Sequence, residues 1–493
     1  MESRLLRPDS AKKNFVFQLF YNIVILVIPL IVSPYLTRTM GSTSLGVYSY
    51  TYSIAYYFVV FAMLGINKHG QRIIAQRRSD LLSLRRTFWS LYVIHFAASM
   101  ISLAVYLIYV LVFCSSDVTV AYVQAIYVFS AAIDITWLFY GLEKFKLVSV
   151  RNACIKLLET VCVFVFVKDP SDVIIYTLIM SASVCLGQII MMPQVIAAIP
   201  PARFSKRDLL EHIRPLFTLF AAVIAVALYT VFDKTLLGLL VSKDAVAFYE
   251  YSDKIVKIPR TFIGIVGTVL FPSACRYAAE GNYKSLNRNF NNCMLVTCFI
   301  GFASCFGLAA VAPLFAVLYY GEAFSVCGSV MIGMCPIILI IGFGETIRQS
   351  YIYPLKKDMA MVRILSVNAV VNLVLSALLM PVLGIYGAVI GTICAEMVGL
   401  ISVIWVSREY LSLRDFLRNV IPFAVIGVLM YMCIRFVARF YDGTFTALVA
   451  QVLTGLAVYL LLTLLYAYLF CPALKLIIFG QLRNLKNRFF RRN

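Results

Sequence analysis

Ionisable residues interrupt several apolar stretches of this sequence, where charge is otherwise rare. One set comprises Asp134, Lys156, Glu159, Glu345 and Arg348. Lys156 and Glu159 are three residues apart, and so are Glu345 and Arg348. The two opposite charges of each pair can therefore neutralise each other on one helix face. Because charge in hydrocarbon is costly, such residues indicate either a role in transport or a structural ion pair along a wet seam.

A second set is dominated by cations that could bind an anion. It consists of Arg38, Asp233, Lys234, Glu250, Asp253, Lys254, Lys257 and Arg260. Glu250 with Lys254, and Asp253 with Lys257, are four residues apart with the acid first, which favours pairing. Arg260 has no acid three or four residues away, so its guanidinium is predicted to be unpaired.

One guanidinium group can bind two phosphate oxygens at once, whereas a lysine acts as a movable point charge. We therefore predict a diphosphate-binding cavity lined by the cations Arg38, Lys234, Lys254, Lys257 and Arg260. The alternative is that Lys254 and Lys257 only extend to the outer lipid headgroups.

Three tyrosines, Tyr48, Tyr52 and Tyr56, are spaced four residues apart and therefore share one helix face. Flat rings with a hydroxyl suit sugars, although an interfacial aromatic belt is the alternative interpretation. No catalytic or metal-ligand motif is found, and without a G-x-x-x-x-G-K-[ST] loop the chain is not expected to hydrolyse ATP. We predict no enzyme activity and no cofactor.

The elements that carry these residues are long apolar stretches, each near the ~20 residues that a helix needs to cross a bilayer. A soluble protein with 62% hydrophobic residues and a mean hydropathy of +0.90 would lack the polar surface to cover itself. The predicted fold is an all-α polytopic membrane protein with fourteen transmembrane helices. They run over residues 15–36, 47–66, 87–113, 118–140, 152–168, 173–199, 215–241, 254–272, 293–320, 326–353, 361–383, 385–406, 419–437 and 445–471.

The distribution of Lys and Arg predicts the orientation. Most of the 43 basic residues lie in the terminal tails and in every second connection. The positive-inside rule therefore places both termini in the cytoplasm. The net charge of +20 is assigned to contacts with anionic membrane lipids and not with nucleic acid, because the basic residues are scattered over many loops.

A proline pair divides the chain into two predicted lobes of six helices. The predicted parts are a first lobe over residues 1–199, a cytoplasmic linker over 200–214, a second lobe over 215–410, helices thirteen and fourteen over 411–471, and a basic cytoplasmic tail over 472–493. Two such lobes are the plan of an alternating-access transporter with its substrate at the repeat interface. Gly387 and Gly391, four residues apart, permit close helix contact.

Several strings resemble the Wzx-type oligosaccharide flippases of the MOP exporter superfamily, and together they span the first twelve segments. They are Pro34–Arg38 with Gly41 and Gly46-x-Tyr48, the run from Asp134 to Phe145, His212–Pro215, Asp233–Lys234, the run from Tyr249 to Pro259, and Gly384–Thr392 with Glu396. The first segment carries no charge in its apolar core, whereas the related lipid II flippases place arginines there. This difference favours a polyprenyl-linked sugar other than the peptidoglycan precursor.

The resemblance implies a flippase of the bacterial plasma membrane that moves an undecaprenyl-diphosphate-linked oligosaccharide to the outer leaflet for surface polysaccharide biosynthesis. It also implies a polysaccharide polymerase and chain-length machinery as partners. Without ATP hydrolysis, an ion gradient or the membrane potential must drive transport, and Asp134, Asp233, Glu345 and Glu396 are the candidate coupling residues. The alternatives are a multidrug exporter of the same superfamily and a membrane glycan polymerase or ligase. The glycan, the coupling ion and the oligomeric state are left open.

Overall fold

The long apolar stretches form helices, and no strand occurs in the described part of the chain. The computed structural model describes residues 11–441, 443–472, 474 and 475. Its α-helices are α1 (Ala11–Thr39), α2 (Gly41–Met63), α3 (Ile66–Arg77), α4 (Leu81–Phe113), α5 (Val118–Ala132), α6 (Thr136–Gly141), α7 (Phe145–Phe166), α8 (Val173–Ala198), α9 (Lys206–Leu240), α10 (Lys243–Ala279), α11 (Tyr283–Tyr320), α12 (Val326–Ile347), α13 (Asp358–Leu383), α14 (Ile385–Val406), α15 (Leu413–Val437) and α16 (Phe445–Leu469).

Each of the fourteen predicted segments corresponds to helix, which confirms the all-α polytopic membrane class. Within the described residues, eleven helical stretches are long and apolar enough to cross a bilayer, and Ile23–Thr39 is a shorter apolar helix. The exact number of crossings stays a prediction. From residue 476 onward, the predicted basic tail lies outside the described residues.

Helix α3 was not predicted as a separate element. It is set off from α2 because Leu64 and Gly65 adopt left-handed backbone angles, with φ of 44° and 74°. The helix is amphipathic, since its buried residues Ile66, His69, Gly70 and Ile74 recur on one face. Part of the connection after the second segment is therefore an ordered helix, which packs against α4 and α6.

The chain forms two compact units, Met1–Ala247 and Phe248–Asn493. In the first unit, α5 packs against α2 and α8, α1 packs against α7, and α9 packs against α2. A core cluster joins side chains from α2, α3, α4, α6 and α8 around the fully buried Trp137. The linker at residues 200–214 was predicted to separate two lobes that move during transport. This division stays a prediction.

In the second unit, α11 packs against α12 and α15, and α13 packs against α14. The α13–α14 contact depends on the predicted glycine pair. A Cβ on Gly387 would lie 2.5 Å from the backbone carbon of Leu379, and one on Gly391 would lie 2.4 Å from the Ser376 Oγ. The prediction that this pair permits close helix contact is thus confirmed.

Candidate functional site

Asp134 lies at a break in the fourth predicted segment, in the three residues that separate α5 from α6. Its Oδ1 accepts a hydrogen bond from the Thr136 backbone N–H at 2.8 Å and one from the Thr136 hydroxyl at 2.5 Å. Its carbonyl accepts a bond from the Trp137 indole at 3.2 Å. These contacts satisfy polar groups at the interruption, so Asp134 stabilises the break between α5 and α6.

The two ion pairs predicted from three-residue spacings both form. Lys156 donates a hydrogen bond to Glu159, as the three-residue spacing predicted. Arg348 bonds to Glu345. Each of these cations is therefore paired with an acid one helical turn away on its own helix.

Arg151 is a polar residue of the first unit that the sequence analysis missed. Its Nη1 donates to the Gly187 carbonyl at 2.7 Å and to the Gln188 Oε1 at 2.9 Å, linking α7 to α8. It is also the cation whose charge acts on Asp134. The sequence placed Arg151 in a connection because it lies just outside the apolar stretch, while in the structure it lies within α7.

Tyr48, Tyr52 and Tyr56 form a row on α2, as their spacing predicted. Successive ring centroids are 5.9 Å and 6.4 Å apart. The row continues onto neighbouring helices, since Tyr127 stacks on Tyr52 at 5.0 Å and Tyr176 meets Tyr48 edge-on at 4.7 Å. These rings therefore face aromatic partners inside the first unit.

The other predicted residues of the first unit lie on α1 and α9. Arg38 is exposed at the end of α1. On α9, Asp233 is buried and Lys234 is half-buried. All three take part in polar interactions.

The cationic run of α10 differs from its predicted pairing. Lys254 pairs with Glu250 at 3.9 Å, as predicted, and its ammonium also lies 3.9 Å from the centre of the Tyr251 ring. Asp253, however, bonds to Arg260 and not to Lys257. The prediction that Arg260 is unpaired was wrong, because residues seven apart lie two helical turns apart on one face and long side chains span that distance.

On α10, Lys257 and Arg260 differ in their surroundings. The Lys257 side chain is exposed. Within the part of the chain that the structure describes, the buried Nε of Arg260 has no hydrogen-bond acceptor. The guanidinium therefore neutralises Asp253 through Nη2 and keeps a donor on another edge.

Glu345 and Arg348 form the predicted pair in the second unit. Arg348 Nη2 lies 2.9 Å from a Glu345 carboxylate oxygen, and Gln349 donates to the other oxygen at 2.8 Å. A π-helical turn, Arg348–Ile352, follows α12 directly. Glu396 is buried on α14 and has polar partners of its own. In the described residues, no three His, Cys, Asp or Glu side chains are grouped to hold a metal ion.

Two family models each match more than half of the chain. The model described as "Polysaccharide biosynthesis protein" matches residues 11–278, and that described as "Lipid II flippase MurJ" matches residues 160–451. A Shigella dysenteriae protein described as an O-antigen transporter is 23% identical over 397 residues, which cover 78% of this chain and 97% of the relative.

Solved structures of the same superfamily share the fold. A structure of the lipid II flippase MurJ in an inward closed conformation superposes with a TM-score of 0.73 at 15% identity, covering 93% of this chain and 99% of the other. An inward-facing multidrug resistance transporter of the MATE family has a TM-score of 0.59 at 14% identity, covering 79% and 94%. With its family motifs and this fold, the chain belongs to the polysaccharide biosynthesis protein family, in the Wzx-type group of the MOP exporter superfamily.

Proposed function

We propose that this membrane protein is a flippase for an undecaprenyl-diphosphate-linked oligosaccharide. It moves the repeat unit from the cytoplasmic to the outer leaflet of the bacterial plasma membrane by alternating access, for surface polysaccharide biosynthesis. The description of the Shigella relative as an O-antigen transporter supports a lipid-linked glycan as the substrate. A polysaccharide polymerase and chain-length machinery would act on the product.

The observation that carries this proposal is the tyrosine row of the first unit. Five tyrosine rings lie in one continuous series within the membrane part of the unit, and Tyr52 and Tyr127 bring their hydroxyls within 3.3 Å of each other. Aromatic rings with hydroxyls match the flat faces and hydroxyl groups of a glycan.

In this proposal, basic side chains bind the diphosphate. Lys257 and Arg260 on α10 are its first contacts, because Lys257 is exposed and Arg260 keeps an unused donor. Arg38, Lys234 and Lys254 add positive charge that attracts the substrate. Asp233, Glu345 and Glu396 remain the candidates for coupling to an ion gradient, whereas the bonds from Thr136 to Asp134 favour a structural role for that acid.

Deletion of the gene in its host tests the proposal. We expect the lipid-linked oligosaccharide to accumulate on the inner leaflet and the surface polysaccharide to be lost. Wild-type protein and Tyr52→Phe should restore export, whereas Tyr52→Leu, which lacks the ring, should not. Tyr122→Leu is the matched control because Tyr122 is an exposed ring on α5. Normal surface polysaccharide in the deletion strain, with lost resistance to cationic drugs, would favour the multidrug exporter instead.

A further inference from the structure

A cleft in the second unit is lined by none of the residues assigned to the glycan and its diphosphate. It opens beside the start of α11, the start of α15 and the end of α16, and it has a volume of about 970 Å³. Its lining contains three basic side chains, Lys284, Arg288 and Arg418, and four asparagines. No carboxylate is found among the described residues that line it. The cleft is therefore positively charged and rich in amide groups.

The α11 wall is one continuous helix face. Lys284, Asn287, Arg288, Asn291, Asn292 and Leu295 all line the cleft. Their spacings of three and four residues place them on the same side of the helix. Asparagine is a poor helix former, so helix propensity does not account for three of them on one face in the opening turns. Their amide groups add polar atoms to the basic wall of the cleft.

The asparagine oxygens are turned toward the protein. Tyr351 donates its hydroxyl to Asn287 Oδ1 at 2.9 Å, and Asn419 donates to Asn291 Oδ1 at 3.1 Å. Within the described part of the chain, this leaves the amide N–H groups of Asn287 and Asn291 for a ligand. These amide groups, two guanidinium groups and an ammonium together form a set of donors that matches the oxygens of a phosphate.

The remaining wall of the cleft is apolar. It includes Pro422, Tyr466 and Phe470. Phe470, just after the end of α16, is 74% exposed. The polar wall comes from the opening turns of α11 and from Arg418 and Asn419 of α15, and the apolar wall from Pro422 of α15 and residues at the end of α16. A ligand that carries both a phosphate and a hydrocarbon chain fits this division, whereas a free phosphate uses only half of it.

We propose that this cleft binds the phosphate headgroup of a membrane lipid. Lys284, Arg288 and Arg418 hold the phosphate, and the apolar wall contacts the first part of the lipid chain. Arg418 is shared with Asp415, which lies 3.9 Å away, so Arg288 is the stronger contact. The lipid is either a bilayer phospholipid or a polyprenyl phosphate, since both have a phosphate joined to a hydrocarbon. The proposal does not depend on transport, because binding is measured directly.

Native mass spectrometry of the purified full-length chain in detergent tests the site. We expect phosphatidylglycerol to bind about tenfold more tightly than phosphatidylcholine, and the double variant Arg288→Ala/Arg418→Ala to lose about tenfold in phosphatidylglycerol affinity. Arg414→Ala is the matched control, because Arg414 is exposed on α15 one turn before Arg418 and does not line the cleft. Equal affinity in the double variant and in Arg414→Ala would overturn the proposal.

Two further measurements separate the polar and apolar contributions. Phe470→Ala keeps every charge, so weaker binding of phosphatidylglycerol by this variant supports the apolar contact. Displacement of the lipid by an equal concentration of inorganic phosphate would contradict a lipid ligand. Displacement by undecaprenyl phosphate supports a polyprenyl ligand, and its failure supports a bilayer phospholipid. An unchanged midpoint of thermal unfolding in each variant ensures that lost binding is not lost folding.

Discussion

At the scale of single residues, Arg260 is the side chain whose role changes most between sequence and structure. Its bond to Asp253 means that Arg260→Ala alone would leave an unpaired carboxylate, and a loss of export could have that cause. The double variant Asp253→Asn/Arg260→Ala removes both charges. If Arg260 contacts the diphosphate, we expect export to stay at least about tenfold below wild type in this double variant.

Export is measured by the amount of surface polysaccharide in a complemented deletion strain, with membrane insertion checked by immunoblot. Asp253→Asn alone is the control, since it keeps the guanidinium and should retain most of the activity. Wild-type export by the double variant would show that Arg260 only neutralises Asp253.

His212, near the start of α9, should make the stability of the folded protein depend on pH. Its Nδ1 lies 3.1 Å from the Nε2 of His69 on α3, so the two rings share one N–H and cannot both be protonated without losing this bond. Burial lowers the pKa of His212, the charge of Arg77 lowers it further, and Glu211 and Asp208 oppose the shift. Arg77 also bonds to Glu211 at 2.6 Å, across the same α3–α9 contact.

Because the folded pKa of His212 lies below the unfolded value of about 6.5, the unfolded chain binds the proton first as the pH falls. Stability is therefore fully present above pH 6.5 and decreases below it, by at most about 1.4 kcal/mol per pH unit for this group. We expect the unfolding midpoint to fall more between pH 7.5 and 5.5 in wild type than in His212→Gln. Equal decreases in both proteins would rule out this contribution.

At the scale of helices, the α13–α14 contact should be sensitive to a single methyl group. A Cβ on Gly387 would meet backbone atoms of Leu379 and Met380 at 2.5 Å, and backbone cannot rotate away as a side chain can. Gly387→Ala should cost about 1 to 3 kcal/mol. Gly264→Ala in α10 is the control, because a Cβ there has no heavy atom within 4 Å and alanine favours helix. Thermal unfolding of both variants in detergent measures the difference, and equal stability would contradict the close contact.

The break after α5 depends on the side chain of Asp134. Its Oδ1 accepts both bonds from Thr136, and asparagine also provides an oxygen at this position. Asp134→Asn should therefore keep folding and export, whereas Asp134→Ala should lose about 1 to 2 kcal/mol as a lost capping group does. Expression and thermal unfolding measure this loss, and export assays test function. Stable Asp134→Asn protein without export would instead indicate a proton carrier.

At the scale of the whole molecule, the charge distribution predicts which ends of the helices face the cytoplasm. Ser79, just after α3, and Ser171, just before α8, are both exposed and are predicted to lie on opposite sides of the membrane. In a variant without the 13 native cysteines, Ser79→Cys should react with an impermeant thiol reagent only after the cells are opened. Ser171→Cys should react in intact cells, and the reverse pattern would invert the topology.

The sequence alone determined the membrane class, the helical segments and the ion pairs within one helical turn. Hydropathy is summed over about 20 neighbouring residues, and helix geometry places residues three or four apart side by side. Lys156–Glu159, Glu250–Lys254 and Glu345–Arg348 were predictable for this reason. The turn at Asp134 also had a local signal, because an Asp two residues before a Thr often bonds to the following backbone.

Only the tertiary structure decided which groups meet across helices. Arg151 contacts Gly187 and Gln188 from another helix, and no spacing along the sequence encodes that distance. The cleft at the start of α11 brings together Arg288 and Arg418, which are far apart in the chain. Asp253 and Arg260 lie on the same helix, but two acids and three cations compete for partners there. Packing selects which of them pair. Local pattern specifies the elements, whereas their packing specifies the site, since a side chain's partners depend on which helix faces become neighbours.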